Sequence, residues 1–149
     1  MEKFPQFELE NQDGERITNE HLRERTVIYF YPKDNTPGCT TQACDLRDNM
    51  ERLNELGVKV YGVSGDSKRK HQNFIEKNNL NFDLLVDEGF ALSEALGVYR
   101  KKKAFGREFM GIARTTFIVD GEGNILKRWD DVNAKSHMDE LKAYMEGVH

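Results

Sequence analysis

Apolar and aromatic residues fill positions 27–31 without alternation, the pattern of a strand buried on both faces, which predicts an interior place in a sheet. After a loop from Pro32 to Pro37, Ala43, Leu46, Met50 and Leu53 recur at spacings of three, four and three until Gly57 breaks the pattern. This predicts a helix of about five turns. Residues 59–63 read as a second strand. Ser64-Gly65-Asp66-Ser67 then forms a turn able to cap a helix carrying Phe74 and Ile75. A further strand is expected over 82–86, a short helix over 91–96 closed by Gly97, and then a basic loop. Residues 115–119 and 125–129 flank Asp120-Gly121-Glu122-Gly123-Asn124 and predict a β-hairpin. Leu141, Tyr144 and Met145 share one side of a C-terminal helix with Ser136 as its candidate cap. The order implies an α/β sandwich built on a mixed sheet, with helical crossovers joining its parallel strands.

Composition narrows the class. With 149 residues and no Pro/Gly/Ser-rich linker, one domain over 1–149 is expected. Lys and Arg number 22 against 26 Asp and Glu, a net charge of −4, which argues against nucleic acid as a partner. No apolar run approaches the roughly 20 residues of a membrane span, and the acidic N-terminus does not resemble a signal peptide. A soluble, cytoplasmic protein is expected. Two cysteines and four scattered histidines (His21, His71, His137, His149) make a poor metal-ligand set, and the histidines read as surface residues. In a reducing compartment, the nearby pair Cys39 and Cys44 points to redox chemistry rather than to a structural disulfide.

Cys39 falls in the first turn of the long predicted helix. With Thr36 as N-cap and Pro37 as first helical residue, the Gly38 and Cys39 amides lack intrahelical acceptors and favour an anion. The Thr36 hydroxyl and an arginine from elsewhere could add to them, and Gly38 leaves room for a small substrate beside the sulfur. Forming a thiolate is not enough. For a thiol in general, lowering the pKa from about 8.5 to about 6 raises the thiolate fraction about 30-fold at pH 7 but lowers nucleophilicity roughly tenfold. A fast reaction therefore also needs donors that hold and polarise the electrophile.

Pro32-Lys33-Asp34-Asn35-Thr36-Pro37-Gly38-Cys39 matches the PxxxTxxC signature of the peroxiredoxins, and FYPKDNTPGCTTQACDLRD resembles their bacterioferritin comigratory protein or peroxiredoxin Q branch. GIARTTFIVDGEGNI is similar to the stretch carrying that family's active-site arginine and hairpin, so the resemblance spans the chain. It implies a thioredoxin-like fold, a central mixed β-sheet flanked by helices. It also implies a thiol peroxidase with Cys39 as peroxidatic cysteine and no cofactor. Pro32 would shield the thiolate, Thr36 would hydrogen-bond it, and Arg114 would polarise it and the peroxide. Thr36, Arg114 and the Gly38 and Cys39 amides then make up the substrate-binding set.

A sulfenic acid on Cys39 condenses with a nearby thiol, and Cys44 is the candidate resolving residue, giving a redox-active Cys39–Cys44 disulfide recycled by thioredoxin or a similar dithiol. Five residues along a helix give a rise of about 7.5 Å and a turn of about 140°, hence Cα atoms roughly 8–9 Å apart. Disulfides do not span more than about 7 Å, so the helix start is expected to unwind for the bond to form. An intramolecular bond needs no partner subunit, and a monomer is expected.

Plainer readings compete with these. By spacing alone Cys39 continues the apolar stripe as a small buried residue, and Arg114 could be a surface cation. Arg100-Lys101-Lys102-Lys103 with Arg107 reads as a solvated loop rather than a docking site for the reductant. A thioredoxin-like oxidoreductase would place two residues between its cysteines, where four stand here. A redox sensor switched by the same disulfide would not turn over peroxide repeatedly.

Overall fold

The computed structural model describes residues 2–147. Seven strands form a sheet in the order β2-β1-β5-β4-β3-β8-β9. They are β1 (Glu8–Asn11), β2 (Arg16–Thr18), β3 (Arg25–Phe30), β4 (Val58–Ser64), β5 (Asp83–Val86), β8 (Thr115–Val119) and β9 (Ile125–Trp129). Strands β3, β4 and β5 run parallel, and β1, β2, β8 and β9 join antiparallel. The helices are α1 (Pro37–Glu55), α2 (Lys68–Asn78), α3 (Ala91–Ala95) and α4 (His137–Gly147). This is the mixed α/β arrangement of a thioredoxin-like fold.

Alternation across the double-buried strand assigns the two faces. Val27, Tyr29 and Tyr31 pack with Ala43, Leu46, Met50 and Leu53 of α1, Phe74 of α2, and Met138, Leu141 and Met145 of α4. Ile28 and Phe30 point the other way, into a second cluster with Phe4, Leu92, Leu96 and Phe117. Gly62 on β4 lets these layers close up. A Cβ there would stand 2.8 Å from Leu84 and 2.9 Å from the Tyr29 ring. Strand β3 thus delivers the chain to the start of α1 from the centre of a packed sandwich. No helix among the described residues is long and apolar enough to cross a membrane.

The structure departs from the sequence in the basic segment, expected as a loop, and in the histidines, expected at the surface. The basic segment is a second, two-stranded sheet of β6 (Tyr99–Ala104) and β7 (Arg107–Ile112), which turns at Phe105 and Gly106 with both φ values positive. Composition concealed it because most of its side chains face solvent, so neither face carries an apolar alternation. Nor are the histidines uniformly superficial. His21 is exposed, but His71 and His137 are buried, and His149 lies outside the described residues.

Candidate active site

Beyond β3 the chain crosses residues 31–36 in a loop pinned from below. The Tyr31 hydroxyl donates to Asp34 Oδ1 at 2.5 Å, Asp34 Oδ2 lies 2.6 Å from His71 Nδ1, and His71 Nε2 donates to the Leu85 carbonyl at 2.8 Å. The Asp34 amide donates to Asp66 Oδ2 at 2.8 Å. Pro32 is half-buried in this loop. Thr36 and Pro37 stand at N-cap and N1, as their types favour. The Thr36 side chain, however, makes no capping bond, and its hydroxyl donates to the Lys33 carbonyl at 2.8 Å. Its proton is therefore committed away from the sulfur, contrary to the expected Thr36–Cys39 bond. Without that cap the Gly38 and Cys39 amides keep their pull on an anion.

Cys39 is 1% exposed and continues the α1 stripe into the core, so the plain reading of its burial is correct as far as packing goes. Packing does not account for its polar neighbour. Arg114, half-buried just before β8, donates from Nη1 to Cys39 Sγ at 3.3 Å and to Gln42 Oε1 at 2.9 Å. A cation thus faces a sulfur that already sits at the positive end of a helix. The residue at 38 must be small for this to occur. A Cβ on Gly38 would lie 3.0 Å from Arg114 Nη2 and 3.8 Å from the Ala134 Cβ. The space that a side chain on residue 38 would fill is the seat of the guanidinium.

Behind the arginine lies a buried polar chain that sequence reasoning missed. Gln42 Nε2 is 3.1 Å from His137 Nδ1, and His137 Nε2 is 2.9 Å from Thr116 Oγ1. Burial, and then the Arg114 charge, push the His137 pKa down to about 4. A second missed group is Lys102. Its ammonium donates to the Ile112 carbonyl at 2.7 Å, and its pKa is lowered by burial and by the Arg114 charge, with the Cys39 sulfur opposing. The signals were present in the stripes. Gln42 lies on the same helical face as Cys39 and Leu46, His137 is in phase with Leu141 and Met145, and Thr116 shares a strand face with Ile118. Polar residues in apolar phase are the clue.

Cys44 is half-buried on a different side of α1, where its thiol donates to Asn78 Oδ1 at the end of α2, 3.8 Å away. Both cysteines are free, and α1 is continuous through them. The helical separation of roughly 8–9 Å between their Cα atoms therefore applies.

A thioredoxin-like sandwich carrying a cysteine at an uncapped helix start, with an arginine on its sulfur, is the arrangement of a thiol-dependent peroxidase. The AhpC/TSA family profile matches residues 1–128, and the chain belongs to this family, that of the peroxiredoxins. Among curated relatives, Peroxiredoxin Bcp of Bacillus subtilis (strain 168) is 49% identical over 140 residues, 93% of this chain and 89% of that protein. Peroxiredoxin Bcp of Escherichia coli (strain K12) is 44% identical over 136 residues, 91% of this chain and 87% of that one. Among solved structures, peroxiredoxin Q of Xanthomonas campestris superposes with a TM-score of 0.88 at 36% identity, covering 95% of this chain and 90% of its own.

Proposed function

We propose that this peroxiredoxin is a single domain over residues 1–149 that reduces hydrogen peroxide and organic hydroperoxides through Cys39, with Cys44 resolving the product and thioredoxin restoring both thiols. The observation that carries the reading is Arg114 Nη1 at 3.3 Å from Cys39 Sγ, over helix amides left without a side-chain cap. Including organic hydroperoxides draws support from the Xanthomonas campestris bacterioferritin comigratory protein, which has been described for its alkyl peroxide reduction activity.

In the first step the Cys39 thiolate attacks the distal peroxide oxygen. The O–O bond breaks, an S–O bond forms, and the departing alkoxide or hydroxide takes a proton to leave as alcohol or water. Arg114 and the Gly38 and Cys39 amides are suited to hold the peroxide in line and to stabilise charge on the leaving oxygen. The Thr36 hydroxyl oxygen is free to accept a peroxide proton, since only its own proton is given to Lys33. Pro32 forms part of the wall that keeps water from the sulfur.

In the second step the Cys44 sulfur displaces water from the Cys39 sulfenic acid, closing a disulfide. A dithiol donor then reduces that bond by exchange. Because both sulfurs belong to one chain, a monomer completes the cycle. The cytoplasm, where free thiols persist, suits it.

Peroxide consumption coupled to thioredoxin, thioredoxin reductase and NADPH tests the reading. Many turnovers are expected, with none in Cys39→Ser. Turnover that survives that substitution would refute it.

A further inference from the structure

We infer that Gln42, His137 and Thr116 form a positioning relay that fixes the Arg114 guanidinium on Cys39, with His137 locked as the neutral tautomer protonated on Nε2. The inference rests on the reading of Cys39 as the peroxide-reducing sulfur and Arg114 as its activating cation.

Donor and acceptor counting assigns each member. A guanidinium only donates, so the Gln42 oxygen must face Arg114 Nη1, at 2.9 Å. The Gln42 amide nitrogen is thereby turned to His137 Nδ1, at 3.1 Å, and it too can only donate. Nδ1 is then bare, and the ring proton sits on Nε2, where it is donated to Thr116 Oγ1 at 2.9 Å. An imidazolium would set two donors head to head, Nδ1–H against the Gln42 amide.

The surroundings favour the same state. His137 is 2% exposed, and its ring centroid lies 5.8 Å from that of Tyr29. Tyr29 of β3 and Arg114 at the head of β8 are the titratable neighbours. Burial raises the phenol of Tyr29 well above its usual range, and the Arg114 charge adds to burial in keeping the imidazole neutral. Cys39 lies beyond the arginine.

An arginine has four rotatable side-chain bonds, and one contact with a sulfur does not hold its fork. The relay supplies the second contact and anchors it to three elements, α1, β8 and the first turn of α4. If His137 cannot accept from Gln42, the amide is free to turn over and present its NH2 to the guanidinium. Arg114 is then repelled from its seat. A displacement of about 1 Å at such a donor costs on the order of 100-fold in rate.

The test pairs two readouts on the full-length protein. Ring 15N chemical shifts of His137 at pH 7 are expected to give a protonated Nε2 and a bare Nδ1. An Nδ1–H tautomer or an imidazolium overturns the inference, whether or not peroxide is consumed. Single-turnover oxidation of Cys39 by hydrogen peroxide is then compared across His137→Asn, His137→Gln and His137→Ala. The Asn oxygen can take the place of Nδ1 and accept from Gln42. The Gln amide, nearer to His in size, reaches towards the place of Nε2 and leaves Gln42 without an acceptor. Support is a His137→Asn rate within about threefold of wild type, with the Gln and Ala variants slower by at least about tenfold. A Gln variant as fast as the Asn variant or faster, or all three within about threefold of wild type, overturns the relay, because a space-filling role favours the larger residue. If Cys39→Ser still consumes peroxide, the reading of the site itself fails, and the tautomer result stands apart from it.

Discussion

Gly38 and Arg114 are packed so closely that a methyl group on residue 38 would stand 3.0 Å from Nη2 of the guanidinium. The arginine tip is the mobile partner, so Gly38→Ala should move it by a few tenths of an ångström while the helix start survives. Ala is also the better helix former, by up to about 1 kcal/mol. The expected outcome is a melting temperature unchanged or raised, with the rate of Cys39 oxidation lowered several-fold. Equal rates in both proteins, measured by stopped flow, would mean that the guanidinium position does not limit the reaction.

A second close pair is structural. Asp34 and His71 are buried side by side, and the Leu85 carbonyl, which can only accept, holds the Nε2 proton of the ring. Replacing His71 by Phe keeps the volume but leaves the Asp34 carboxyl facing an apolar edge. Leaving a buried hydrogen-bonding group without its partner costs about 1–3 kcal/mol, a sizeable share of the stability of a typical domain. Urea unfolding of His71→Phe should register that loss. A change below about 1 kcal/mol would mean that the pair does not anchor the loop.

Tyr29 gives a prediction of the opposite sign. Its hydroxyl is the buried side-chain polar atom with no partner among the described residues. Tyr29→Phe removes that hydroxyl and leaves the ring against Tyr31, Phe82 and His137. The variant should melt about 2–4 °C higher, as expected for relief of about 1 kcal/mol in a chain of this size. A lower melting temperature would show that the hydroxyl has a stabilising partner.

What could be read from the sequence follows from what each segment encodes locally. The hairpin β8–β9 falls on residues 115–119 and 125–129, as expected, because the apolar run 115–119 and the segment Ile125–Trp129 flank a five-residue loop with two glycines. The end of α1 was legible because Gly57 takes a positive φ. The hairpin β1–β2 was missed. Its strands are only four and three residues long, so the alternation of Glu8, Leu9 and Glu10 is too short to mark a strand by itself. Cys39 was legible from its place at the predicted helix start and from the motif, and Arg114 from motif likeness alone, whereas Gln42, His137 and Thr116 come together only through tertiary pairing. Each was hidden among apolar neighbours whose spacing already had an explanation.

His137 should also make stability depend on pH. Its folded pKa of about 4 lies below the usual value of about 6.5 for an unfolded histidine, because burial and then Arg114 disfavour the charged ring. Between those limits the unfolded chain binds a proton that the folded chain refuses. Stability therefore falls as pH drops from about 6.5 to about 4, and is unaffected by this group above that window. The span is worth about 3 kcal/mol. His137→Asn should flatten the urea-unfolding free energy across that window by about that amount relative to wild type. Parallel curves for the two proteins would contradict a buried neutral His137.

The two sulfurs start far apart. Cys39 is held by Arg114 on one side of α1, whereas Cys44 is held by Asn78 at the end of α2. Within an intact helix their Cα atoms are roughly 8–9 Å apart, beyond the reach of a disulfide. Bond formation must therefore release one contact or both and unwind the start of α1. The loop before it is fixed by Asp34 to Tyr31, His71 and Asp66, so the opening should begin after residue 34. Gln42 lies between the cysteines and would leave Arg114 as the helix opens, so the oxidised state should also lose the activating arginine. Hydrogen exchange should then show residues 37–47 exchanging faster in the peroxide-treated protein, while 29–34 keep their protection. One equivalent of peroxide should remove two hydrogens from the intact mass and link the peptides carrying Cys39 and Cys44. In Cys44→Ser the same treatment should leave a sulfenic acid on Cys39 and the exchange of α1 unchanged. Identical protection of residues 37–47 in oxidised and reduced wild type would rule out unwinding and require a different partner for the Cys39 sulfur.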